Sequence, residues 1–128
     1  MRRTGIVPRR LRRLASIALL GLVAAGDPDH GLAVVTRQSS TCVLCHAGPW
    51  ANPHLQGNIG PDLHGVGARL TSGQLQQRIA VGDPDSVMPV FGSTGGRVRV
   101  GAAWAGKPIL SDQEIADAVA YLSTLTTP

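Results

Sequence analysis

The sequence predicts a small all-α domain that needs a staple to hold it together. Two capping boxes, Thr71-Ser72-Gly73-Gln74 and Ser111-Asp112-Gln113-Glu114, each stand ahead of apolar residues at helical spacing. The length, 128 residues, allows one small domain and no more. The core material is thin, with 16 Gly, 9 Pro and only Trp50, Phe91, Trp104 and Tyr121 as aromatics. Small domains so equipped usually rely on a disulfide, a metal or a cofactor.

The first 26 residues read as an export segment. Arg2, Arg3, Arg9, Arg10, Arg12 and Arg13 precede the apolar run Leu14–Ala25, and Val23-Ala24-Ala25 offers small residues for cleavage near Ala25/Gly26. That pattern is a secretory signal peptide, and it predicts a periplasmic protein. The arginine pairs also suit a twin-arginine route. An uncleaved anchor is the alternative, but the run is too short to span a bilayer. All eight acidic residues lie from Asp27 onward, so residues 27–128 hold six basic and eight acidic side chains, a net charge of −2. The basicity of the whole chain therefore belongs to the leader. The remaining domain has no basic patch with aromatic interleaving, which argues against a nucleic-acid partner.

Along 27–128, Gly31–Arg37 is a short apolar stretch predicted as a first helix after Asp29. Gly48–Leu70 carries Pro49, Pro53 and Pro61 and several glycines without periodicity, and reads as loop. The helix opened by Thr71 puts Leu75 and Ile79 one turn apart, and Gly82 can end it. Gly92–Pro108 is glycine-rich, with a weak strand signal in Arg97-Val98-Arg99-Val100. The last helix lines up Ile115, Ala118, Val119, Leu122 and Leu125 on one stripe. No internal repeat or long linker interrupts the chain.

The cysteines say which staple is used. Cys42 and Cys45 are the only two, and His46 follows at once: Cys42-Val43-Leu44-Cys45-His46. C-x-x-C-H is the attachment signature of a c-type haem. Two thiols at that spacing reach the two vinyl groups of one porphyrin edge, and the adjacent imidazole can then bind iron. The competing readings are weaker. A disulfide would close a very small loop and stabilise little. A thioredoxin-type pair needs a strand–helix setting. Zinc needs further ligands, and His30, His54 and His64 share no metal-like spacing with the pair.

An electron-carrying haem takes a second axial ligand. Met1 leaves with the leader, so Met88 is the only thioether from residue 27 onward. It lies in Asp83-Pro84-Asp85-Ser86-Val87-Met88-Pro89, where the prolines predict a stiff loop that can present sulfur to iron. Core filling is the commoner role of methionine. His54 and His64 are the rival ligands, and bis-His iron would have a lower potential. No spare cysteine, carboxylate pair or Ser/His/Asp set stands at a catalytic spacing, so no catalytic residue is expected.

Gly60-Pro61-Asp62-Leu63-His64-Gly65 follows. It resembles the Gly-Pro-x-Leu-x-Gly segment of small one-haem cytochromes c. By that resemblance the Pro61 carbonyl accepts a hydrogen bond from His46, and Leu63 packs on the ring. The same fold crosses its first and last helices closely, which would set Gly31 against Tyr121.

The stretch Gly57-Asn58-Ile59-Gly60-Pro61-Asp62-Leu63-His64-Gly65-Val66-Gly67-Ala68-Arg69 is similar to the SoxX family of c-type cytochromes, subunits of SoxAX complexes in thiosulfate oxidation. Val87-Met88-Pro89-Val90-Phe91, Gly106-Lys107-Pro108-Ile109-Leu110 and Glu114–Leu122 extend the similarity over most of 29–125, most weakly at Gly92–Ala105. The resemblance implies a class I cytochrome c-like fold with a Gly-rich insertion and one covalent haem c on Cys42 and Cys45. His46 and Met88 are its implied axial ligands. It implies a SoxA-like partner that carries the sulfur chemistry, the carrier protein SoxY as the thiosulfate acceptor, and a small cytochrome c or other electron acceptor. Arg69 would pair with a haem propionate, face the partner, or stay solvated. The other readings are a free-standing cytochrome c shuttle and the cytochrome subunit of another periplasmic dehydrogenase.

Overall fold

The structure, a computed structural model, describes residues 24–92 and 107–128. Most of the export segment, the Arg97–Val100 strand signal and Trp104 lie outside the described residues. Among those described, all regular structure is helical: α1 (Pro28–Thr36), α2 (Cys42–Cys45), a 3₁₀ turn (Pro53–Leu55), α3 (Val66–Arg69), α4 (Ser72–Ala80) and α5 (Asp112–Thr124). None of these helices is long and apolar enough to cross a membrane.

Helix α1 begins earlier than the sequence suggested. Asp27, not Asp29, is its cap, and the Asp27 carboxylate accepts from the amides of Asp29 (2.9 Å) and His30 (3.3 Å). The reason is Pro28. At the first helical position its fixed φ suits the helix and its missing N–H is no loss. Both predicted capping boxes form. Thr71 and Gln74 cap the start of α4, and Ser111 and Glu114 that of α5; in each the cap hydroxyl accepts from the later residue's backbone amide, and that residue's side-chain oxygen accepts from the cap's amide. Each removes orphan donors that a bare helix start would leave. The Gly48–Leu70 stretch is less irregular than expected, because it contains the 3₁₀ turn and α3.

The most extensive helix contact is α1 on α5. Gly31 makes it possible, since a Cβ there would lie 2.0 Å from the Asp117 carbonyl oxygen and 2.7 Å from the Tyr121 Cβ. The expected meeting of Gly31 and Tyr121 is therefore present. Beside it Asp117 is 2% exposed. Its carboxylate accepts from the Asp27 amide (2.8 Å) and the Gln113 side chain (2.9 Å) and contacts His30 Nδ1. Burial works against its charge. The amide of Asp27 and the side chains of His30 and Gln113 more than offset that, and hold the carboxyl below its ordinary pKa.

The core joins Val34 and Val35 of α1, Leu75 and Ile79 of α4, and Ile115, Ala118, Val119 and Leu122 of α5. Phe91 and Leu110 complete it. The Phe91 amide donates to the Ile79 carbonyl, and the Phe91 carbonyl accepts from both Ile109 and Leu110, at 2.9 and 3.0 Å. The chain on the two sides of residues 93–106 thus meets at one peptide.

Candidate functional site

One side of this core opens as a cavity of about 540 Å³, lined almost wholly by apolar atoms. Cys42, Cys45, His46, Pro61, Leu63 and Met88 all line it. They arrive from three stretches of chain.

The first stretch follows α1. Ser40 is fully buried, and its hydroxyl donates to the carbonyls of Val34 (2.6 Å) and Arg37 (2.8 Å), which fixes where the chain leaves the helix. Thr41 then adopts φ 60°, the left-handed region. For a β-branched residue that conformation costs on the order of 1–2 kcal/mol. It starts the single turn α2, whose two ends are the cysteines. Burial pushes the Cys42 thiol pKa up, against a hydrogen bond to Ser40 that lowers it.

The second stretch runs beside the first. Gly57, Gly60 and Leu63 donate backbone hydrogen bonds to Val43 (2.9 Å), Cys45 (2.7 Å) and Ala47 (2.8 Å). This pairing brings the Pro61 carbonyl to 2.7 Å from His46 Nδ1. A carbonyl can only accept, so Nδ1 carries the proton and Nε2 keeps a lone pair for a metal. Gly60 is required by the close approach, since a Cβ there would stand 2.4 Å from His46 Cε1.

The third stretch is the loop after α4. Asp85 N–H donates to the Asp83 carboxylate, Ser86 N–H to the Asp83 carbonyl, and Met88 N–H to the Ser86 hydroxyl, each at about 3 Å. This bonding fixes the partly buried Met88 at the cavity. The rival histidines are elsewhere. His54 is exposed on the 3₁₀ turn, and His64 bonds to Asp62 at 2.6 Å; neither lines the cavity. The Asp62 carboxyl is held below its ordinary pKa by the His64 amide first and the His64 ring second. Arg69 donates to the carbonyls of His64 (2.5 Å) and Asp62 (2.6 Å), so its guanidinium lashes the 62–65 turn at the cavity edge.

The residues present fit a covalent haem. The wall is apolar, as porphyrin faces require, two thiols sit on one helical turn, an imidazole has its tautomer set, and a thioether shares the cavity. A zinc site fares worse. Among the described residues no three His, Cys, Asp or Glu side chains gather as a metal-binding group.

Sequence reasoning missed Trp50, which donates from its indole to the His46 carbonyl, and the buried Asp117 cluster. The only sequence signal for Trp50 was its rarity among so few aromatics.

The family model described as cytochrome c matches residues 33–126. The chain is also similar to a solved structure, SoxXA from P. pantotrophus. The two share 36% identity over 80% of this chain and 84% of that one, with a TM-score of 0.69. No curated protein matches the sequence.

Proposed function

The chain belongs to the cytochrome c family, among its SoxX-type electron-transfer members, and from that premise we propose that it works in the periplasm as one subunit of a SoxAX-type complex. It carries one covalent haem c, which supplies a one-electron redox centre. The export segment 1–26 would deliver it, and 27–128 would be the working domain. Its partner would be a SoxA-like cytochrome. The sulfur chemistry, which joins thiosulfate to a cysteine of a SoxY-like carrier, would belong to that partner. This chain would pass electrons toward a small cytochrome c or another acceptor.

The observation that carries this reading is the cavity shared by Cys42, Cys45, His46 and Met88. There Cys42 and Cys45 would hold the haem covalently, and His46 and Met88 would bind its iron. Pro61 holds the His46 proton on Nδ1, and Leu63 covers a face. Were His46 and Met88 both to bind the iron, little room would remain there for a substrate, which suits a relay. A thioether opposite an imidazole raises the potential relative to two imidazoles, which suits an electron acceptor. The apolar lining excludes water and so limits the charge rearrangement that accompanies electron transfer.

The test is production with its leader in a host that matures c-type cytochromes and is grown on thiosulfate. The expected product is shortened near residue 26, shows a low-spin haem spectrum and co-purifies with a second haem protein. A haem-bearing monomer with no partner would favour the free shuttle instead.

A further inference from the structure

Trp50 is the aromatic that the proposed chemistry does not use, and it is tied directly to the residue that would hold iron. Its Nε1–H donates to the His46 carbonyl at 3.1 Å. Its own amide donates to the Gly48 carbonyl at 2.7 Å, closing a three-residue turn around Pro49. The ring lies against Gly48, so close that a Cβ there would meet Cζ2 at 2.3 Å. On its other side it contacts Tyr121 of α5, with ring centroids 6.3 Å apart and planes tilted by 38°. Trp50 is only 8% exposed, so its indole N–H is shielded from water and depends on that carbonyl.

His46 is the first residue after α2, in extended backbone, and its amide still donates to the Cys42 carbonyl at 2.9 Å, which fixes the peptide before it and leaves the carbonyl side to other partners. Two further bonds fix the ring and the peptide after it: the Pro61 carbonyl accepts from the imidazole, and the Trp50 indole donates to the His46 carbonyl. The first sets the ring's tautomer, and the second sets the direction from which the ring is offered. We propose that Trp50 is a positioning residue for the axial histidine: its indole, braced by Tyr121, holds the His46 peptide and thereby fixes the plane of the imidazole. Helix α5 is in this way connected to the ligand through one aromatic pair.

The inference rests on the reading of His46 as the axial ligand. A low-spin haem spectrum in the unsubstituted holoprotein, lost in His46→Ala, tests that reading separately. For Trp50 the probe is the oxidised holoprotein in proton NMR, where the spread of the haem methyl resonances follows the axial ligand planes. Trp50→Phe keeps a ring over Gly48 but removes the donor. The expected result is a rearranged methyl pattern and a shifted midpoint potential, while Tyr121→Phe, which keeps its ring against Trp50, leaves both unchanged. An unaltered pattern and potential in a Trp50→Phe protein with full haem content would overturn the proposal. Should that variant fail to mature, the Trp50 indole proton of the unsubstituted holoprotein decides. Exchange with deuterium oxide as slow as that of the Gly60 amide supports the bond, and exchange at the rate of a free indole refutes it.

Discussion

His30 Nδ1 on α1 lies 2.5 Å from Asp117 Oδ2 on α5, and the two side chains differ sharply in exposure, 55% against 3%. A buried carboxylate is thus bridged to solvent by a half-exposed imidazole at the main helix crossing. Asp27, the cap of α1, shares the same carboxylate through its amide.

Asp117→Asn should therefore lower stability near neutral pH. It removes a charge that accepts three hydrogen bonds, and a loss of about 1–3 kcal/mol is expected for breaking such a buried set. The native carboxyl has a depressed pKa, so its contribution is complete above the unfolded carboxylate pKa and disappears as pH falls through the native value. Denaturant titrations across the acid range should show parent and variant converging at low pH. A constant gap would contradict the assignment.

Gly31→Ala should cost about 1–3 kcal/mol through overpacking, and Gly31→Val more, because the obstacle is the backbone carbonyl of Asp117 and cannot rotate away. In a domain of this size each 1 kcal/mol lowers Tm by about 4–8 °C. Thermal unfolding of the two variants checks the order.

Gly60→Ala tests the proximal side. The added methyl would press on the His46 ring and push it off the Pro61 carbonyl. The expected outcome is a lower yield of mature haem protein and a changed midpoint potential in what survives. Parent-like yield and potential would mean that the loop relaxes at no cost.

Met88→Ala should abolish the far-red charge-transfer band of sulfur-ligated ferric haem and lower the potential, since a stronger-field or solvent ligand would replace the thioether. Persistence of that band would show that Met88 fills space and does not bind iron. His54→Ala and His64→Ala, whose side chains are not part of the cavity lining, should leave the band intact.

The two long capped helices were legible because each carries its own start signal and an apolar stripe, and both signals are local. Haem attachment was legible for the same reason, since five consecutive residues encode it. What was missed is non-local or too short. Helices α2 and α3 have four residues each, below the length at which local preference forms a helix, so tertiary pairing makes them. Asp117 is not on the apolar stripe of α5, so nothing local marks it as buried. Only the arrival of Gly31 and Asp27 from far along the chain buries it. The Trp50 bond to His46 likewise depends on a turn at Pro49 whose direction no periodicity records.

The large hollow has a consequence for biosynthesis. Without haem the apolar side chains that line this opening would face water, a loss that matters in a domain held together by only ~5–15 kcal/mol. A polypeptide that has not received its haem should then be less stable and more open to proteases than the haem-bearing protein.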